Sequence, residues 1–150
     1  ADQMREERMM TSPEKPTGVL EAAIYVDDLD AAEAFYAGVV GLDIVTRVDP
    51  RHVFFACGSS VVLAFVAERT KVPPREDQLP VPPHGAVGPG HLCFSVPGED
   101  LDGWVAHLTG EGYDIESDFN WPHGPRSVYV RDPAGNSVEF AEPKLWGLGT

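Results

Sequence analysis

Apolar residues along this chain follow two alternating periods, and the order of those periods occurs twice. Leu20-Glu21-Ala22-Ala23-Ile24-Tyr25-Val26 reads as a strand. Asp28-Leu29-Asp30 then opens a helix with a carboxylate at its start. Leu29, Ala32, Phe35 and Tyr36 give that helix one apolar face, and Gly38 and Gly41 end it. Three strand-like runs follow, Leu42–Val48, His52–Cys57 and Ser60–Ala67, with Pro50 and Gly58 marking the turns.

The pattern then breaks. Residues 68–90 hold Pro73, Pro74, Pro80, Pro82, Pro83 and Pro89, which forbid a helix interior or a central strand. This stretch is expected to connect two halves and to wrap over a binding face or a partner subunit. The first cycle restarts at His91–Val96. A helix near Asp100–Thr109 follows, ended by Gly110 and Gly112. Strands near Tyr113–Phe119, Arg126–Arg131 and Ser137–Ala141 complete it. Glu21–Val26 lies over His91–Val96, Asp28-Leu29-Asp30 over Asp100-Leu101-Asp102, Arg51–Phe55 over Arg126–Val130, and Gly58 over Gly135. The halves are copies of one βαβββ unit. The expected fold is α+β: paired βαβββ modules whose eight mostly antiparallel strands form a cup, with helices outside. Residues 1–17 form a flexible N-terminal arm, 18–142 the domain (modules about 18–67 and 91–142), and 143–150 a tail.

Alternation within strands assigns faces. Leu20, Ala22, Ile24 and Val26 share the helix side, as do Leu92, Phe94 and Val96, and Val138 and Phe140. Glu21, His91 and Glu139 fall on the concave side, with His52, Phe54, Val62, Ala64, Ser127 and Tyr129. Charges on strands that line a cup are costly unless paired. Two carboxylates and an imidazole converging on one point satisfy each other by holding a divalent ion: zinc, nickel, manganese or iron. Such a site leaves coordination positions open for substrate. Around it, Arg126 is a candidate clamp for a carboxylate or phosphate, with a structural salt bridge as the alternative. His123, in Trp121-Pro122-His123-Gly124, is a candidate general acid or base or an exposed loop histidine. Trp104 and His107 are read as packing or surface residues.

Composition narrows the class. The chain has 150 residues, enough for one domain with its own core. Its net charge of -13, from 24 acidic and 11 basic residues, repels nucleic-acid backbones and anionic membranes. No apolar run approaches a membrane span, and residues 1–17 lack a signal-peptide core, so a cytoplasmic location is expected. Cys57 and Cys93 read as buried thiols rather than a disulfide. There is no phosphate-binding glycine loop and no Gly-x-Ser-x-Gly elbow.

Several pieces carry a family likeness: Tyr25-Val26-Asp27-Asp28-Leu29, Phe35-Tyr36, Gly41-Leu42, Gly90-His91-Leu92, and above all Arg131-Asp132-Pro133-Ala134-Gly135-Asn136-Ser137-Val138-Glu139. The chain resembles the vicinal oxygen chelate superfamily: glyoxalase I, fosfomycin-resistance enzymes, extradiol dioxygenases, epimerases and bleomycin-resistance proteins. The resemblance implies metal ligands on the first and last strands of each module. By position these are Glu21, His91 and Glu139, and aligning Gly58 with Gly135 puts Val62 opposite Glu139. In glyoxalase I that place holds a proton-transferring carboxylate. The resemblance implies a metal-dependent lyase, isomerase, epimerase or thiol transferase acting on a small oxygen-rich substrate. Glu21, His123 or Tyr129 would move protons, and His52, Phe54, Trp121, Arg126 and Ser127 would line the substrate site. The alternative is a metal-free, bleomycin-resistance-type binder of cationic aromatic drugs, which the acidic charge and Phe54, Tyr129 and Trp121 suit. An extradiol-type dioxygenase is less favoured, because Glu21 replaces a histidine. The resemblance also implies a homodimer, to which the connector and Leu145, Trp146 and Leu148 of the tail would add surface.

Overall fold

The computed structural model describes residues 2–4 and 12–149. Residues 1 and 5–11 of the expected N-terminal arm lie outside the described residues. Residues 2–4 form a helical turn, and 12–17 run exposed without regular structure.

Two four-stranded mixed sheets make up the domain. The first joins β1 (Glu21–Tyr25), β2 (Asp43–Val48), β3 (His52–Cys57) and β4 (Ser60–Phe65) in the order β1-β4-β3-β2. The second repeats it with β5 (His91–Ser95), β6 (Ser117–Asn120), β7 (Arg126–Arg131) and β8 (Ser137–Ala141) in the order β5-β8-β7-β6. In each, the first strand pairs parallel to the last and the other pairings are antiparallel. The parallel pairing is possible because a helix crosses between the first strand and the rest. The expected duplication of a βαβββ unit is present in the topology.

Helix α1 (Leu29–Glu33) starts where Asp28 accepts a hydrogen bond from the Ala31 amide, so the early carboxylate caps as expected. It then widens into a π-helical segment, Ala34–Val39, closed by the Val40 amide donating to the Phe35 carbonyl. Gly38 sits inside that segment instead of ending it. Gly41, at φ 92°, makes the turn out. Helix α2 (Ala67–Thr70) opens the connector, where no helix was expected. Helix α3 (Leu101–Gly110) follows a single 3-10 turn, Gly98–Asp100. Tyr113 is held to its end by donating to the Leu108 carbonyl while Gly112 turns at φ 92°. The strand expected from Tyr113 therefore starts later, at Ser117.

The core joins both modules: Ile24, Phe35, Tyr36, Phe55, Phe94, Leu101, Leu108, Val128, Val138 and Phe140 form one buried cluster. Val62 and Ala64 belong to that cluster. Their expected place on the open face is thus corrected, because the turn before β4 is only residues 58–59, which shifts the strand's faces by one residue. Leu20, assigned to the core, is 75% exposed, because it precedes an edge strand and nothing packs over it.

One polar knot ties the modules together. Buried Asp132 accepts from the Tyr36 hydroxyl at 2.7 Å, from the amides of Ala134 and Asn136, and from the Asn136 side chain. Asn136 also donates to the Tyr25 carbonyl and accepts from the Gly90 amide. Burial first, then the Asp132 carboxylate, pushes the Tyr36 phenol well above its ordinary pKa. Asp132→Ala strands several buried donors, so we expect a loss of about 3 kcal/mol by urea unfolding, against about 1 kcal/mol for Tyr36→Phe. Equal losses would show that Asp132 holds only Tyr36.

Candidate functional site

The open face of the second sheet carries the expected histidine and carboxylate. His91 on β5 and Glu139 on β8 sit on neighbouring parallel strands, with His91 Nε2 3.2 Å from Glu139 Oε1. The Ser137 carbonyl lies 3.1 Å from His91 Nδ1, and a carbonyl can only accept. Nδ1 therefore carries the hydrogen. In a neutral ring Nε2 then turns a lone pair toward the carboxylate. Two acceptors facing at this distance need a positive charge between them, either a proton or a metal ion. Glu139 is 5% exposed, and its second oxygen, Oε2, is buried with no hydrogen-bond partner. Such an atom is costly to leave bare.

The groups around Glu139 are polarisable but hold their protons. Tyr129 stacks on His91 with ring centres 6.2 Å apart, and Phe119 stacks on its other side at 5.9 Å. Burial, then the charge of Glu139 and a hydrogen-bonding contact with it, raises the Tyr129 phenol, against a smaller lowering from Ser127. Cys93 is exposed and Cys57 half-buried, so neither is the buried thiol expected. Partial desolvation, then the Glu139 charge and a hydrogen-bonding contact with Glu139, push the Cys93 thiol up to about 12, so it is no nucleophile at neutral pH. Burial alone raises Cys57. Trp121 donates its indole N–H to Ser127 Oγ at 2.8 Å and meets Phe119 edge-on. Tyr129, Ser127 and Trp121 thus lie together on this face, as their strand positions imply.

The open face of the first sheet is a separate place. Glu21, Ala23 and Tyr25 of β1, Phe54 of β3 and Leu63 and Phe65 of β4 line a cavity of about 620 Å³. Val81, Pro82, Pro83 and His84 of the connector complete its wall, so the connector folds over the open face of the first sheet. His84 is fixed there by a 2.7 Å hydrogen bond between its Nδ1 and the Tyr25 hydroxyl, and by an edge contact with Phe65. His52 stacks on Phe54 at 4.0 Å and accepts at Nδ1 from Arg51. Burial, then the Arg51 charge, lowers the His52 pKa, which fits a neutral ring accepting that bond. Reading the sequence singled out neither His84 nor Arg51. The available signal for Arg51 was its match, in the repeat, to Arg126.

The three proposed metal donors do not meet within one chain. Among the described residues, no group of three or more His, Cys, Asp or Glu side chains is placed to hold a metal ion. His91 and Glu139 are together, and Glu21 is exposed on the other sheet. Arg126 corrects another expectation. It lies on the helix side of β7, where its guanidinium makes two bonds of 2.8 Å to Asp118 and one of 2.7 Å to Asp102 of α3. It is a structural ion pair, because alternation puts it opposite in face to Ser127 and Tyr129. His123, on the turn before β7, bonds the Leu145 carbonyl at 3.2 Å and so holds the tail.

This geometry can be set beside known proteins. Residues 18–140 match the family model of the Glyoxalase/Bleomycin resistance protein/Dioxygenase superfamily. The chain belongs to that superfamily. A crystal structure of a lactoylglutathione lyase from Agrobacterium tumefaciens is similar over 90% of this chain and 100% of its own, at 45% identity and a TM-score of 0.83. A superfamily protein from Nocardioides, 18% identical, covers 95% of this chain and 93% of its own with a TM-score of 0.69. One from Alicyclobacillus acidocaldarius, also 18% identical, covers 87% and 94% with a TM-score of 0.58. These last two share the fold. Comparison with curated proteins gives no match.

The duplicated glyoxalase-superfamily module lets equivalent positions be read from strand register. His91 pairs with Ser137 and Cys93 with Glu139, while Glu21 pairs with Val61 and Ala23 with Leu63. Glu21 is therefore the counterpart of His91, and Leu63, not Val62, is the counterpart of Glu139.

Proposed function

We propose that this protein is a metal-dependent enzyme of lyase or isomerase type, acting on a small substrate with two neighbouring oxygens. Its divalent ion, of zinc, nickel, manganese or iron type, is held by His91 and Glu139 of one chain and Glu21 of a second copy. The observation that carries this reading is the His91–Glu139 pair: an imidazole nitrogen 3.2 Å from a buried carboxylate whose other oxygen makes no hydrogen bond. The Ser137 carbonyl orients the ring as carbonyls behind metal-bound histidines do.

A homodimer is the assembly that brings Glu21 to the pair. Glu21 and His91 are equivalent ends of edge strands, and the chain beside them is apolar and open, with Val19 and Leu20 each 75% exposed. Trp146 and Leu148 of the tail are exposed as well.

A bound divalent ion would supply Lewis-acid polarisation of substrate oxygens. The chain supplies the rest. Tyr129, its pKa raised, keeps its proton and is placed to donate to an oxyanion. Glu21 is the carboxylate free to move a proton. Phe119, Tyr129 and Trp121 give the face its aromatic wall. The similarity to a lactoylglutathione lyase supports the lyase class. Protein purified without chelator is expected to carry about one divalent ion per chain by elemental analysis. Absence of metal together with tight bleomycin binding would reverse the assignment to that of a drug-binding protein.

A further inference from the structure

The chain has only 11 basic residues against 24 acidic ones, so any place where arginines gather without carboxylates is unusual. One exists. Arg51, Arg69 and Arg75 line a cavity of about 420 Å³ between the β2–β3 turn, helix α2 and the connector. The other lining residues are Thr70, Val72, Pro73, Pro74, Gln78, Leu79, Val81 and Pro82, and none is acidic. Among the described residues, Arg51 and Arg69 form no ion pair. Arg75 pairs with exposed Asp77 at 3.2 Å. By contrast Arg47, Arg126 and Arg131 are each paired with at least one carboxylate.

Among the described residues, Arg51 and Arg69 thus line this cavity without a paired carboxylate, although carboxylates are abundant in the chain. Arg51 is held from behind: it donates to His52 and lies over the Phe65 ring at 5.3 Å. That support fixes its planar fork with donors to spare. The prolines around it limit how the opposite wall can move. We propose that this cavity is a binding site for a small multivalent oxyanion, a phosphate or a dicarboxylate, clamped by Arg51, Arg69 and Arg75. It is distinct from the proposed metal site and does not depend on it.

The site also borders the first-sheet cavity, because Arg51, Val81 and Pro82 line both. The His84 amide donates to the Thr70 carbonyl at the base of the same wall. An anion bridging Arg51 to Arg69 and Arg75 would therefore pin the connector segment that roofs Tyr25 and Phe65.

Titration calorimetry in low-chloride buffer at neutral pH tests this, with inorganic phosphate in one arm and malonate in the other. The expected result is saturable binding of one anion per chain in at least one arm, which also identifies the class. Arg51→Gln and the Arg69→Gln/Arg75→Gln pair should each weaken it at least about tenfold, the value of one lost charge-assisted bond. Arg131→Gln, on the other sheet, should leave it unchanged. Because Arg51 is half-buried, the exposed Arg69/Arg75 pair keeps the test sound if Arg51→Gln folds poorly. No saturable binding in either arm, or equal binding in the Arg69/Arg75 variant, would overturn the proposal. Metal content is read separately on the same samples, so failure of the anion site and failure of the metal site give different results.

Discussion

Mixing a Glu21→Ala chain with a His91→Ala chain is expected to restore metal binding that neither variant has alone. If the site is shared, each variant homodimer has two incomplete sites. A mixed dimer pairs the intact Glu21 of one chain with the intact His91 and Glu139 of the other. It therefore regains one site of two, so random mixing recovers about a quarter of the wild-type metal. Each variant alone should bind at least about 100-fold more weakly, since even partners behind the ligands are worth 10- to 100-fold. Glu139→Ala should behave likewise. Glu142→Ala is the control. Glu142 accepts from the Arg126 amide and pairs with Lys144 on the other side of the sheet. Elemental analysis after unfolding, mixing, refolding and dialysis reads the outcome. Metal that stays lost in the mixture, though each variant folds, would place all three donors within one chain. Full metal in Glu21→Ala alone would remove Glu21 from the site.

The reason to expect sharing is the distance between what the strand pattern encodes and what the assembly must add. Alternation placed Glu21, His91 and Glu139 on open faces, and the equivalence of β1 and β5 made His91 and Glu139 neighbours across β5 and β8. Those are local facts, legible from period and repeat. Whether the two open faces turn toward each other depends on how the modules dock. That docking is set by Tyr36, Asp132 and Asn136, whose contacts span about a hundred residues of chain and leave no local signature. The connector was readable as a wrapping segment from its prolines. The identity of its working residues, His84 and the arginines, was not, because contact with Tyr25 and Phe65 is a product of the fold. Arg126 differs: Ser127 and Tyr129 were already assigned to the open face, so Arg126 between turn and strand had to face the helix.

Register makes the sharpest distinction, between Val62 and Leu63. Counting from the turn glycines, Gly58 and Gly135, puts Val62 over Glu139. The turns differ in length, however. β3 and β4 are joined by residues 58–59, and β7 and β8 by 132–136. Module one needs three residues from its glycine to reach the partner of Glu21, and module two needs two to reach the partner of His91. A one-residue slip moves a side chain to the other face of a sheet. Val62 is in the core at 6% exposure, and Leu63, though 8% exposed, borders the cavity with Glu21. Val62→Glu is therefore expected to cost several kcal/mol, on the order of 4, because a lone charge enters an apolar core. Leu63→Glu, which can turn its carboxylate into the cavity, should cost less and set a fourth donor beside Glu21, tightening metal binding. It also puts a carboxylate at the place that the resemblance assigns to the proton-transferring group of glyoxalase I, so on the proposed lyase reading the yield of a lactoylglutathione thioester should rise above wild type. Urea unfolding compares the stabilities, competition with a chelator the affinities, and thioester formation the chemistry. A stable, tighter-binding Val62→Glu beside a collapsed Leu63→Glu would show that the glycine alignment, not the strand register, gives the true equivalence.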